Sequence, residues 1–191
     1  MDNIWHNLKT RYRKFEEERR ALATLSQEIR RSSKSLIHRI LHHQSKEPAR
    51  EIAVIKKLVD KVLLALRRNP DLYLVRSVAE GMEEYVELIF LECYRQNSNK
   101  ILKYLPEDLD HEALIGGIAD TSGELVRLAR AKVDLAEAEK VHQYILELYE
   151  HFLDLEVSRN NKLRSKMEEV RRNMLRLEDT IFELKLKLPV K

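Results

Sequence analysis

"VAEGMEEYVELIF", residues 78–90, sorts its apolar and acidic residues in a way that only a helix can satisfy. At about 100° per residue, Met82, Tyr85, Val86 and Ile89 fall on one side. Glu80, Glu84 and Glu87 fall on a narrow strip opposite, with Glu83 beside them. A strand would place alternate residues on opposite faces and mix the two sets. The acidic strip raises a second question. Glu80 repels Glu84, and Glu83 repels Glu87, by about 0.2–0.5 kcal/mol per pair. One turn beyond Glu84 and Glu87 stand Leu88 and Leu91 rather than lysine. A solvated acidic face is the plain reading. Carboxylates with few cations nearby are also the donor set that Mg²⁺ or Mn²⁺ requires.

The rest of the chain extends the helical pattern. It has 191 residues, 43% hydrophobic and 35% charged, which suits one globular domain spanning residues 1–191. Only 4 Gly and 4 Pro interrupt it, so the helices should be long. A first helix is expected from about Asn3 to His43, on Leu22, Leu25, Ile29, Leu36 and Ile40, with Ser32 and Ser33 in the gap. A second runs from Pro48 to about Arg68. Asn69 and Pro70 read as the N-cap and first residue of a third, which continues to about Ile101. "LPEDLDHE" opens a fourth that reaches about Lys132. A fifth covers about Asp134 to Glu156, and after "SRNNK" a last helix runs to about Lys187, closed by Pro189. No strand alternation, internal repeat or dividing linker is visible. The expected class is all-α, a bundle of about six to seven long helices.

Composition excludes several functions. Net charge is +3, from 35 basic and 32 acidic residues, so any nucleic-acid surface has to come from clustering. A single cysteine, Cys93, excludes an internal disulfide and a thiolate zinc site, and its apolar setting reads as packing. The N-terminus is polar and no apolar run approaches the ~20 residues of a membrane span. The expectation is a soluble, cytoplasmic protein.

A second acidic segment is "IGGIADTSGELVRLAR", residues 115–130. On a helix, Gly116, Gly117, Asp120, Gly123, Glu124 and Arg127 share one face. Three of the chain's 4 glycines lie here, each costing about 1 kcal/mol against alanine in a helix interior. They permit close approach by another helix or a ligand. Asp120 and Glu124 are therefore expected to face Glu80, Glu84 and Glu87 across a cleft, where the five could hold one or two metal ions. Such a metal acidifies a bound water and stabilises charge on a phosphate. No Ser/His/Asp or Cys/His arrangement competes, and no phosphate-binding glycine loop is present. A four-helix di-iron protein needs two Glu-x-x-His pairs, and only Glu139 with His142 is present. The helical nucleotide pyrophosphohydrolases share "EEYVE", but their second acidic half is missing, because Arg127 stands three residues after Glu124.

Four motifs in order resemble the translin family, and within it the branch of translin-associated factor X (TRAX) rather than translin. "GMEEYVE" (81–87) is similar to Gly-Leu-Gln-Glu-Tyr-Val-Glu, and "GIADTSGELVRLA" (117–129) to Gly-Val-Ala-Asp-Leu-Thr-Gly-Glu-Leu. "SKSLIHRI" (33–40) resembles a first-helix segment of that branch, and "KLRSKMEEVRRNMLRLEDTIFELKLK" (162–187) its last helix. The likeness reaches from about Leu25 to Lys187. It implies a translin-like helical bundle assembled into a closed octameric shell around RNA, with Mg²⁺- or Mn²⁺-dependent endoribonuclease activity. Carried over residue by residue, the catalytic and metal-binding acids are Glu84, Glu87 and Asp120. Glu124 matches a family glutamate and Glu80 is added from geometry as a further metal ligand; both are expected to complete the catalytic set, as ligands, as acids behind them or as the base. The compact chain points to an archaeal-type homologue that assembles with itself, a translin-like partner subunit being the alternative. A non-catalytic translin-like shell binding RNA or single-stranded DNA is the other functional reading.

The nucleic-acid side is also legible without the family. Arg30, Lys34, His38 and His42 follow one another at i,i+4 on the first helix, with Arg31 and Arg39 beside them. This basic stripe suits a phosphate backbone. Arg127 and Arg130 follow the acidic face and are placed to clamp a phosphate. Lys162, Arg164, Lys166, Arg171 and Arg172 read as ordinary helix surface. Few aromatics accompany the stripe, so binding should be weakly sequence-specific.

Overall fold

A computed structural model describes residues 2–155 and 161–187. Among these residues the chain forms six α-helices and two short 3-10 helices, with no strand. The α-helices are α1 (Asp2–Leu41), α2 (Pro48–Arg68), α3 (Arg76–Gln96), α4 (His111–Lys132), α5 (Leu135–Asp154) and α6 (Asn161–Leu186). The 3-10 helices span Pro70–Leu74 and Asn99–Tyr104. The all-α expectation holds. Glu156, the Ser158–Asn160 part of the expected break, and Pro189 lie outside the described residues.

Local chemistry accounts for most boundaries. Pro48 sits at the start of α2, where its missing N–H costs nothing. The Asp110 carboxylate accepts from the Ala113 N–H at 3.0 Å, and Asp134 from Glu137 at 2.7 Å, capping α4 and α5. The third helix departs from the expectation at both ends. Asn69 does not cap it. Its side-chain amide instead donates to Glu18 on α1 at 2.9 Å, and Pro70 starts a 3-10 turn anchored by buried Leu72. At the other end Asn97 adopts φ 49°, a left-handed cap that stops α3 before the apolar pair Ile101 and Leu102. Ile101 is still buried, but from the second 3-10 turn.

α3 is the central helix, packed between α1 and α4, and α4 leads on to α5 and α6. Met82, Tyr85, Val86, Leu88, Ile89 and Leu91 are buried in one core with Leu22, Ile29 and Leu36 of α1, Val59 of α2, Leu125 of α4, Val141 and Ile145 of α5 and Val170 of α6. The Tyr85 hydroxyl, inside this core, donates to the Tyr104 carbonyl at 2.8 Å. Cys93 is buried, and burial followed by the neighbouring Glu92 charge pushes its thiol up to about 11, as suits a packing residue.

Two helix crossings depend on glycine. A Cβ on Gly81 would meet the Ser26 carbonyl oxygen of α1 at 2.7 Å. A Cβ on Gly117 would meet the Glu83 carbonyl oxygen and the Val86 Cβ of α3, the latter at 2.6 Å. Gly123 has no such constraint, its nearest neighbour being the Asn173 amide at 3.6 Å. Gly117→Ala is therefore expected to destabilise the fold by roughly 1–3 kcal/mol through overpacking. Gly123→Ala should be neutral or stabilise by up to about 1 kcal/mol. Urea denaturation of the two variants checks this, and equal effects would refute the assigned crossing.

Candidate functional site

α1, α3, α4 and α6 enclose a cavity of about 730 Å³. Glu84 and Glu87 of α3 and Asp120, Gly123 and Glu124 of α4 form its acidic side. Lys34 and His38 of α1, His42 just after it, Arg127 of α4, and Glu169 and Asn173 of α6 line the rest of it, with apolar Ile37, Leu41, Leu128 and Ala131. The two acidic segments thus meet across a cleft. Glu80 lies one turn away from the cavity, held by Arg30 at 2.8 Å and Arg76 at 2.9 Å.

The acids are not short of cations. That expectation fails chiefly because Glu83, Glu84 and Asp120 are met by cations from other helices, which a count along one helix misses. Lys34 of α1 pairs with Glu84 at 2.8 Å, and Arg30 approaches it at 3.9 Å. Arg127 pairs with Glu124 at 2.9 Å. Lys166 of α6 pairs with Asp120 and reaches Glu83 at 3.6 Å, and Lys162 also pairs with Glu83. Lys162 and Lys166 are thus not the ordinary helix surface that the sequence suggested. Burial disfavours the Lys166 charge, but Asp120 and Glu83 outweigh it and raise its pKa. Gly116 makes this arrangement fit, since a Cβ there would meet the Glu83 carboxylate at 3.0 Å.

Glu87 is the exception. It is 8% exposed, and its carboxylate makes no hydrogen bond or ion pair among the described residues, while its backbone carbonyl accepts from Thr121 at 3.5 Å. Burial, and then the charges of Glu84, Asp120 and Glu124, push its carboxyl from the ordinary 4.5 up to about 8, with Lys34 pulling weakly the other way. No three His, Cys, Asp or Glu side chains among the described residues are gathered into a metal-ion cage. Each neighbour of Glu87 is turned toward its own cation. The hard oxygen donors of Glu84, Glu87, Asp120 and Glu124 nevertheless share one cavity, and Glu87 lines it without a side-chain partner among the described residues. That donor set fits a divalent cation.

The basic stripe divides. Lys34, His38 and His42 line the cavity, with the two imidazole rings 4.3 Å apart. Arg30 is drawn to Glu80 and Glu84. Arg31 is exposed and faces Glu28 at 3.7 Å. Arg39 binds Glu51, which also accepts from Ser45 at 2.6 Å, so it ties α1 to the start of α2. Arg130 is exposed on α4 and does not line the cavity. Sequence reasoning missed the α6 contribution. Asn173, 3% exposed, donates to Ser122 at 2.9 Å and accepts from Arg176 at 3.0 Å, which fixes α6 against α4. The i,i+4 spacing of Lys162 and Lys166 was the available signal. The lone Glu-x-x-His pair is spent on α6, with His142 on Glu178 at 3.1 Å and Glu139 on Lys185 at 2.8 Å.

A model of the Translin family matches residues 5–188. The fold is similar to that of apo-NeC3PO, with a TM-score of 0.83 and 26% identity, over 94% of this chain and 96% of that one. It is also similar to AfC3PO in a complex with duplex RNA, with a TM-score of 0.83 and 22% identity over 95% and 96% of the two chains. A further crystal structure of AfC3PO gives 0.83 and 23% over 95% and 97%. At 22% and 23% identity these two likenesses concern the fold. No curated protein matches the sequence. No helix among the described residues is long and apolar enough to cross a membrane.

The buried Glu87 carboxyl has a consequence for stability. Its pKa is raised on folding, so unfolding releases a proton between pH 4.5 and about 8. Its contribution to stability should fall as pH rises through that window and level off above it. Glu87→Gln keeps the shape and removes the charge. The variant is expected to be more stable than the parent by on the order of 1–3 kcal/mol at pH 8, with the difference vanishing near pH 4. Denaturation at several pH values tests this, and a pH-independent difference would contradict the assigned burial.

Proposed function

The chain belongs to the translin family, and we propose that it is a metal-dependent endoribonuclease that binds RNA within an oligomeric helical shell. The observation that carries this reading is Glu87, a buried carboxylate without a partner, in one cavity with Glu84, Asp120 and Glu124. A carboxyl whose pKa is shifted so far by burial and like charge, facing a cavity, marks a functional site. Glu84, Glu87 and Asp120 would hold Mg²⁺ or Mn²⁺, with Glu124 beside them and Glu80 as an outer support. The bound cation would supply an acidified water and stabilise negative charge on the phosphate. The protein's own part is to orient the strand and handle charge. Lys34 and Arg127 line the same cavity beside His38 and place positive groups where a phosphodiester would lie. Arg30 and Arg31 extend this surface along α1, Arg130 along α4, and Arg39 supports it from the α1–α2 corner. Glu124 stands within the cavity as a group able to accept a proton. A structure similar to this chain is a complex of AfC3PO with duplex RNA, which favours RNA as the ligand.

Assembly follows from the surface. Ile4, Trp5, Leu8 and Tyr12 are exposed on α1, Leu153 on α5, Leu155 at its C-cap, and Leu175, Phe182 and Leu186 on α6. Exposed apolar side chains of this size favour burial against further copies. The proposed assembly is a homo-oligomeric, octamer-like shell in the cytoplasm. A translin-like partner subunit is the alternative to self-assembly.

One observation favours a second reading. Glu84, Asp120 and Glu124 already have lysine or arginine partners, as they would in a non-catalytic shell that only binds RNA or single-stranded DNA. Incubating end-labelled single-stranded RNA with Mg²⁺, Mn²⁺ or EDTA separates the two. Cleavage should require metal and fall by at least about a hundredfold in Glu84→Ala and Asp120→Ala, with helicity retained. Retention of cleavage in both variants would refute the site, and binding without cleavage under every condition would establish the carrier. For the shell, sedimentation should give a species several times the 22.7 kDa chain mass. Glutamates at Trp5 and Leu8 should dissociate it, and a monomeric parent protein would refute it.

A further inference from the structure

We propose that Lys34 and Lys166 are the resident counter-cations of the carboxylate cavity, so that a divalent cation enters only by displacing their ammonium groups. The inference rests on the metal-dependent reading above and concerns this chain's own residues. The two acid-bearing helices, α3 and α4, are flanked by α1, whose Lys34 lines the cavity, and α6, whose Lys166 meets Asp120 at its edge. The Lys34 ammonium lies 2.8 Å from Glu84, and the Lys166 ammonium is paired with Asp120. Glu87, between those acids, is left unpaired and more than nine-tenths buried. The three carboxylates are therefore pre-neutralised on both flanks and open in the middle.

A divalent cation cannot simply be added to this arrangement. It needs direct oxygen ligands at about 2.0–2.1 Å for Mg²⁺, and an ammonium sharing the same carboxylate would be a like charge at contact distance. Both lysines have somewhere to go. The Lys166 ammonium already stands 3.6 Å from the second carboxylate, Glu83, and can stay there while releasing Asp120. Glu83 is in turn seated against Gly116 and paired with Lys162, so it is a fixed acceptor. Lys34 is 55% exposed along its side chain and can swing out toward solvent or a phosphate. Arg127 is a weaker candidate, because its side chain is 73% exposed and its pair with Glu124 is largely screened.

Displacement has a sign that simple structural support does not share. If the lysines only brace the acids, removing one loosens the site and weakens metal binding. If they occupy the cation position, removing one strengthens it. The test is Mn²⁺ binding to the full chain, read from the electron paramagnetic resonance signal of free aqueous Mn²⁺, without RNA. Lys166→Met and Lys34→Met keep most of the side-chain volume and remove the charge. Each is expected to bind Mn²⁺ about tenfold tighter than the parent, whereas Lys166→Arg should stay near the parent value. Asp120→Asn should bind far more weakly. Parent and Asp120→Asn binding alike, or no binding in any protein, would overturn the metal site and the inference with it. A parent that binds and loses binding in Asp120→Asn, with both methionine variants equal to or weaker than the parent, would overturn the displacement alone. Circular dichroism accompanies each variant, and if Lys166→Met does not fold, the largely exposed Lys34 carries the test.

Discussion

The close contact of α3 with both of its neighbours is the constraint on which the rest of the structure depends. On one side the backbone at Ser26 of α1 fills the space where a Gly81 side chain would stand. On the other, Gly116 and Gly117 of α4 lie against the Glu83 carboxylate, the Glu83 carbonyl and Val86. A glycine in a helix interior costs about 1 kcal/mol in isolation. Here it lets three helices approach closely enough to bury Tyr85, Val86, Leu88 and Ile89 completely. The same approach brings acids from α3 and α4 to one cavity. The packing and the site are therefore consequences of one geometry.

That geometry creates an electrostatic problem which the fold only partly solves. Acidic side chains from two helices converge, and ammonium or guanidinium groups from α1, α4 and α6 meet most of them. Glu87 remains, buried among like charges, with its carboxyl pushed up to about 8. A chain shaped for stability alone would place a glutamine or an apolar residue there. The contrast is Glu92, which is fully buried yet held by Arg95 at 2.6 Å and 2.7 Å and by Gln96 at 2.6 Å. Glu92 is a satisfied structural acid. Glu87 is an unsatisfied one, and it faces a cavity.

The salt bridges around the cavity also bear on how nucleic acid and metal would share it. Lys34 belongs both to the basic surface of α1 and to the acidic cavity, through Glu84. A phosphate that draws Lys34 outward and a divalent cation that takes its place on Glu84 would assist each other by linkage. Arg39, in contrast, is committed to Glu51 and the α1–α2 corner. The basic stripe of α1 is thus a mixture of groups facing a ligand and groups holding the bundle.

Much of this was determined by the sequence alone. The 3.6-residue spacing of Met82, Tyr85, Val86 and Ile89, and the scarcity of Gly and Pro, specify long helices, because local periodicity and backbone propensity are properties of a single segment. The two acidic motifs and the family were legible for the same reason, being short runs in order. The ends of α3 were less so. Asn69 was taken up by Glu18, 51 residues away, and Asn97 in a left-handed conformation ended the helix before its apolar pattern ran out. What only the tertiary structure decided was the charge state of the site. Lys34, Lys162 and Lys166 lie far in sequence from the acids they meet, and ion pairing depends on distance through space. Along α3, Glu83, Glu84 and Glu87 have no cation within a turn. In the folded bundle all but Glu87 are matched, and burial singles out that one carboxylate.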